Sequence, residues 1–253
     1  MQDEVQYHVK LRPGDIGRYV FLPGDPGRVE RIAAHLDDAK KVAQNREYTT
    51  YTGSLEGVPV SVVSTGIGGP STAICIEEIL KVGADTLIRI GTSGSLQPSI
   101  KTGDLVIASA AVRDEGTSQQ YVPLEYPAVA DIDVICALRD AARKLGHTHY
   151  TGVIHCKDAF FAEEPHMMPD NEHWERRWKM WQKSNVLCTE MESATLFIVS
   201  QLRKLRAGEI VAVIGETHDG QVVIEKKGVD EAIETAIEAM RSIIKQDQES
   251  EKA

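Results

Sequence analysis

The chain has 253 residues, 42% of them hydrophobic and 26% charged, ordinary values for a globular protein large enough to bury its own core. A formal net charge of -10, from 38 acidic against 28 basic residues, argues against a nucleic-acid partner, because a phosphate backbone needs clustered Lys and Arg. No stretch approaches the ~18 apolar residues of a membrane span, and the polar N-terminus MQDEVQYHVKLRPGD lacks the apolar segment of a secretory signal. Cys75, Cys136, Cys156 and Cys188 lie far apart with no C-x-x-C pair, as expected of buried thiols in a reducing compartment. These features predict a soluble, cytoplasmic protein that does not engage membranes, folded as one domain over residues 1–253.

In chain order, the β-branched runs RYVFL (18–22), VPVSVVS (58–64), TLIRI (86–90), DLVIASA (104–110) and EIVAVI (209–214) read as strands, most bounded by turn residues. STAICIEEILKVGA reads as a helix with Ser71 as N-cap. In DVICALRDAARKLG, Ile135, Leu138, Ala142 and Leu145 recur at helical spacing, and Gly146 suits the C-cap. In VDEAIETAIEAMRSIIKQ, Val229, Ala232, Ile233, Ala236, Ile237, Met240, Ile243 and Ile244 form one apolar stripe. The tail from residue 246 to 253, QDQESEKA, is polar and is expected to be disordered. Strands alternating with helices predict an α/β fold with a largely parallel or mixed sheet.

Chemistry concentrates where strands end. FLPGDPGR (Gly24, Arg28), VVSTGIGGPST (Gly66 to Ser71), LIRIGTSGS (Arg89 to Ser95) and AVIGETHDG (Gly215 to Asp219) each place small and polar residues after an apolar run. Ligands of open α/β sheets bind outside strand carboxyl ends, so four such loops would make a pocket. Neither nucleotide fingerprint is complete: GIGGPS has Ser71 where a dinucleotide turn needs its last glycine, and GTSGS has no P-loop lysine. Arg89 lies inside an otherwise apolar strand, so its guanidinium either forms a buried salt bridge or binds an anion such as phosphate. Glu190 and Glu192 in CTEMESATLF either complement a helix N-terminus or hold sugar hydroxyls over Met191. In HWERRWKMWQK, Trp174, Trp178 and Trp181 share one helical face, as a packing stripe or as a lid over a pocket. The remaining histidines His147, His149, His155 and His173 show no metal-ligand spacing.

PGDPGR, NREYTTYTG, STGIGGPS, IRIGTSG, EYPAVAD, KDAFFAEE and EMESATLF, in this order and spacing, resemble the nucleoside phosphorylase-I superfamily from about Val5 to about Ile244, most closely its uridine phosphorylase branch. The resemblance implies a mixed, partly barrelled sheet flanked by helices. It also implies a hexamer built as a trimer of dimers, and reversible phosphorolysis of a nucleoside to free base and (deoxy)ribose 1-phosphate in nucleoside salvage. Inorganic phosphate is then co-substrate, held by Gly24, Arg28, Arg89, Gly91 and Thr92, with Arg46 supplied by a neighbouring subunit; no organic cofactor is implied. Glu190, Met191 and Glu192 would hold the ribose, and His8 would reach its 5′-hydroxyl across the dimer interface. A monovalent cation, K+, is implied at Glu47, Ile67 and Ser71 of that interface.

The implied base pocket comprises Phe160, Phe161, Glu163, Glu164, His166 and Ile214. It departs from the uridine pattern, because the Gln and Arg that read uracil have no match in AFFAEEPHMMP. Carboxylates accept hydrogen bonds and suit the N–H edge of guanine or hypoxanthine, which keeps a purine nucleoside phosphorylase as the alternative. In that reading Glu216 or Asp219 would protonate the departing base. A nucleosidase that uses water, and a binding protein without turnover, are further readings; three arginines gathered for phosphate speak against both.

Overall fold

The run Tyr19–Pro23 is buried at every position, and its side chains alternate between two cores, as a strand with both faces covered requires. Val20 and Leu22 pack on one side, Tyr19 and Phe21 on the other. In the computed structural model, which describes residues 4–218 and 221–252, this strand is β1, paired in parallel with β4 (Val58–Val63) and β5 (Thr86–Ser95). Beyond β4 the sheet continues antiparallel through β3 (Tyr48–Leu55) to the edge strand β2 (Asp37–Asn45).

On its other side β5 closes a ring. It pairs in parallel with β10 (Arg206–His218) and antiparallel with β9 (Cys188–Glu190). β10 runs antiparallel to β6 (Leu105–Asp114), β6 parallel to β8 (His149–Lys157), and β8 parallel to β9. These five strands form a closed barrel, to which β7 (Ala128–Val129) and the hairpin strand β11 (Gln221–Ile224) are appended. The mixed, partly barrelled α/β sheet expected from the sequence is therefore present.

Closure explains why two expected loops are strand. Gly91 to Ser95 continue β5, because Gly91, Thr92 and Ser93 pair with Val211, Ala212 and Val213, and Gly94 pairs with Gly215 and Thr189. A Cβ on Gly91 would stand 2.9 Å from Val211 Cγ1 and 3.0 Å from the Arg89 guanidinium, so only glycine admits the crossing. Likewise Gly215 to His218 prolong β10.

Helices cover the sheet. α2 (Gly69–Lys81) and α6 (Ser193–Leu202) share one core, which holds Ile76, Ile79 and Phe197. α1 (Val29–Ala33), α4 (Ile132–Leu145) and α7 (Val229–Ser250) share the other. All eight residues of the α7 stripe are buried, and Gly146 takes the left-handed C-cap of α4 with φ 74°. α3 (Thr117–Tyr121) packs against α6 and α2, and α5 (Asn171–Lys183) against the short turn Pro165–Met167.

Two expectations are corrected. α2 begins at Gly69 with Gly68 at the N-cap (φ 88°), and Ser71 Oγ donates back to the Ile67 carbonyl at 3.0 Å instead of capping. The tail from residue 246 is helical as far as Ser250, because Asp247 accepts from Tyr19 Oη at 2.8 Å and from Arg206 Nη1 at 2.9 Å and so ties the last turns to β1 and β10. Among the described residues no helix is long and apolar enough to cross a membrane.

Candidate active site

All four strand-end segments reach one cavity of about 810 Å³: Gly24, Gly66, Thr92 and Gly215 all belong to its wall. Its first pole is cationic. Pro23 ends β1, and Asp25 caps the following 3-10 turn by accepting from Gly27 N at 2.8 Å. That turn carries Arg28 across to the Ile90 carbonyl, to which Nη1 donates at 3.0 Å. Burial and then the neighbouring Arg89 charge lower the Arg28 pKa, and Arg28 has no ion pair among the described residues. Two guanidinium groups this near one another form an attractive place for an anion.

Arg89 forms the buried salt bridge that one of its sequence readings expected. It is 3% exposed. Nε donates to Glu209 Oε1 at 2.7 Å, while Nη2 is bound to Glu192 and lies 3.5 Å from Glu190. Burial opposes the charge on Arg89, but Glu192, Glu209 and Glu190 together outweigh it and raise the pKa. Nη1 is buried and has no hydrogen-bond partner among the described residues. It stands 3.5 Å from the point a Cβ on Gly24 would occupy, so the glycine leaves its unused N–H groups a clear approach. A buried donor without a partner is rare and costs about 1–3 kcal/mol.

The middle of the cavity carries carboxylates. Cys188 to Glu190 are strand and Ser193 starts α6, so the helix N-terminus reading of CTEMESATLF holds. Glu190 accepts from the Glu192 amide at 2.7 Å, from the Ser193 amide at 3.1 Å and from the Ser193 hydroxyl, tying off the helix N-terminus. Burial works to raise its pKa, but Arg89 and these donors lower it. Glu192 reaches the Gly68 amide as well as Arg89, and burial followed by the Glu190 charge leaves its pKa raised. Met191 sits beside them on the wall.

The far pole is mixed. Phe160, Ile214 and Ile224 are on the wall, as are Glu163, Lys157 and Glu216. Glu216 accepts from the Thr102 amide and stands 3.5 Å from Lys101 Nζ; the amide first, then Lys101, hold its pKa below the ordinary carboxylate range. A candidate proton donor is thus held as the carboxylate. Asp219, the other candidate, lies outside the described residues. Phe161, Glu164 and His166 are not on the cavity wall; His166 is exposed and faces Glu164 at 3.7 Å. Helix α5 does border the cavity, through Glu175, Trp178, Lys179 and Gln182, so the Trp segment covers the pocket as well as packing: Trp178 Nε1 donates to Ala162 O at 2.6 Å.

Two expected residues stand apart from this chain's cavity. Arg46 occupies the two-residue turn between β2 and β3 with φ 53°; its side chain is exposed and makes no hydrogen bond among the described residues. His8 is held on α2 by Glu78, at 2.7 Å to Nδ1 and 2.9 Å to its backbone amide. Gly91 lies behind the pole, against Arg89.

Glu209 and Lys157 were missed by sequence reasoning. Glu209 carried the same signal as Arg89, an ion inside an apolar strand, and pairing the two would have found it. Lys157 ends β8, whose alternation in HYTGVIHCK is weak.

A closed barrel with a cationic pole, a carboxylate-lined middle and a mixed far end bearing Phe160 and Ile214 suits one class: enzymes that transfer a sugar between a base and an anion held beside it. The chain matches the family model described as "Phosphorylase superfamily" over residues 18–246. It is 48% identical to a uridine phosphorylase of Treponema pallidum over 96% of each chain. It is 45% identical to a uridine phosphorylase of Thermococcus kodakarensis over 100% of this chain and 91% of that one. A guanosine phosphorylase of Halorubrum lacusprofundi is 41% identical over 89% of this chain and 88% of its own. The chain belongs to the phosphorylase superfamily.

Proposed function

We propose that this protein is a uridine phosphorylase, converting uridine and phosphate to uracil and ribose 1-phosphate. The observation that carries the reading is Nη1 of Arg89, without a hydrogen-bond partner among the described residues, beside Gly24 and near Arg28, while Nη2 of the same guanidinium is bound to Glu192. Phosphate bound at Arg28, Arg89, Thr92 and Gly24 faces C1′ of a ribose lying over Met191. The glycosidic bond lengthens, the sugar gains oxocarbenium character, and the phosphate anion and the Glu190–Glu192 carboxylates stabilise that positive charge. The work is positioning and electrostatics. Uracil leaves with negative charge spread over its carbonyl oxygens and needs donors there. Support for uridine comes from the two uridine phosphorylases named above, 48% and 45% identical over most of the chain. The guanosine reading is favoured by the 41% identical guanosine phosphorylase and by the absence of Gln or Arg in 160–166.

Arg46 and His8, far from their own cavity, fit a role in a neighbouring copy's site, in a dimer that repeats into a hexamer. Glu47, Ile67 and Ser71 fit a K+ ion: Gly66 leaves room for Glu47, whose Cγ is 2.6 Å from where a Cβ would stand, and Ser71 Oγ lies 3.0 Å from Ile67 O. These oxygen ligands suit a hard monovalent ion, which would brace the loop bearing Gly66 and Gly68. The role fits nucleoside salvage in the cytoplasm. The test is base release from uridine, guanosine, inosine and adenosine with and without phosphate; release that ignores phosphate rejects the reading.

A further inference from the structure

Lys157 and Glu163 meet on the cavity wall. Lys157 ends β8 and is 4% exposed; its Nζ donates to Thr189 Oγ1 at 3.0 Å and is ion-paired with Glu163 Oε1. An ammonium has three N–H donors, so one remains after these two. Glu163 Oε2 stands over β5, 3.5 Å from the point where a Cβ on Gly94 would lie; any longer side chain there would push it aside. A donor and an acceptor therefore sit side by side, next to the Phe160 ring, whose centroid is 5.9 Å from Lys157 Nζ.

The donor is locked from behind. Thr189 Oγ1 lies 2.9 Å from His155 Nδ1, His155 Nε2 lies 3.0 Å from Asp114, and Asp114 is paired with Arg177 of α5. With Lys157 donating to the Thr189 oxygen, the Thr189 hydroxyl donates to Nδ1 and the Nε2–H tautomer donates to Asp114. The ammonium is thus fixed in place instead of swinging on its stem. Thr189 directly precedes Glu190, so this corner adjoins the ribose-facing carboxylates.

We propose that Lys157 and Glu163 together read the N–H/C=O edge of the nucleobase, Nζ–H donating to the carbonyl oxygen and Oε2 accepting from the ring N–H. The inference rests on the nucleoside phosphorylase reading and names its substrate class. Uracil, thymine, guanine and hypoxanthine carry such an edge. Cytosine and adenine present an amino group and a bare ring nitrogen, so donor meets donor and acceptor meets acceptor. One wall then serves both uridine and guanosine, the substrates in the names of the relatives. The competing account is a structural tie between β8 and the turn that follows it.

The test compares kcat/KM for uridine, guanosine, cytidine and adenosine, with phosphate, in the wild type, Lys157→Met and Glu163→Ala. The wild type is expected to cleave uridine and guanosine and to disfavour cytidine and adenosine. Each variant should lose about 10- to 100-fold on uridine, as the loss of a charge-assisted hydrogen bond implies, with the uridine-to-cytidine ratio narrowed and the KM for phosphate unchanged. A wild type that cleaves cytidine as well as uridine, or variants with an unaltered ratio, would overturn the proposal. Should Lys157→Met not fold, Glu163→Ala, on an exposed-side turn, decides alone. A wild type that releases no base from any nucleoside would instead remove the phosphorylase reading, and that is read before any variant is made.

Discussion

Arg89 and Glu209 face each other across the parallel β5–β10 pairing, and the Glu209 carboxylate holds Arg89 Nε at 2.7 Å. Glu209 is fully buried, its Oε2 has no hydrogen-bond partner among the described residues, and burial, then the Glu190 charge, raise its pKa well above the ordinary carboxylate range. Its place behind Arg89 turns the guanidinium so that Nη1, not Nε, faces Gly24.

Because the folded-state pKa of Glu209 is raised, its protonated form favours folding, and that contribution fades as pH rises from the unfolded carboxylate value towards the folded one. Glu209→Gln, a permanently neutral isostere that still accepts from Nε, should show a flatter fall in stability with rising pH than the wild type. Denaturant unfolding at pH 5, 7 and 9 checks this; parallel curves would sink it.

Arg28→Ala should raise the KM for phosphate by about 10- to 100-fold, with uridine KM nearly unchanged and stability shifted by less than about 1 kcal/mol, because Arg28 has no ion pair to break. Arg89→Ala differs: it strands three buried carboxylates and should cost about 3–5 kcal/mol. Steady-state kinetics at varied phosphate, beside thermal melts, separate the two variants.

Arg46→Ala should weaken phosphate use although Arg46 lies off its own cavity. If the side chain serves a neighbouring copy, co-assembly of Arg46→Ala with Arg28→Ala chains should recover part of the activity, since some mixed sites carry both native arginines. Activity of the co-expressed mixture no higher than that of either variant would place Arg46 outside any site.

Glu164→Gln should leave the uridine-to-guanosine ratio where it is, because the cavity wall includes Glu163 and not Glu164. A changed ratio in competition assays would put the base nearer to residues 164–166 than the structure does.

The sequence by itself determined which segments could be buried and where charges broke that rule. β-branched runs and helical spacing located β1, β4, β5, β6 and β10, together with α2, α4 and α7, and a guanidinium inside TLIRI announced an unusual site. These signals are local, carried by neighbours along the chain. Only the tertiary structure decided what each ion meets. Arg89 and Glu209 are 120 residues apart and become partners because β5 and β10 close the barrel in one register. The same closure turned the expected loops at Gly91 and Gly215 into strand, and brought Lys157, Thr189 and Glu163 to one corner. Asp247 likewise ordered a tail whose composition alone predicts disorder. Apolar burial follows from local patterning, whereas the partner of a charge is set by long-range register, which spacing along the chain does not encode.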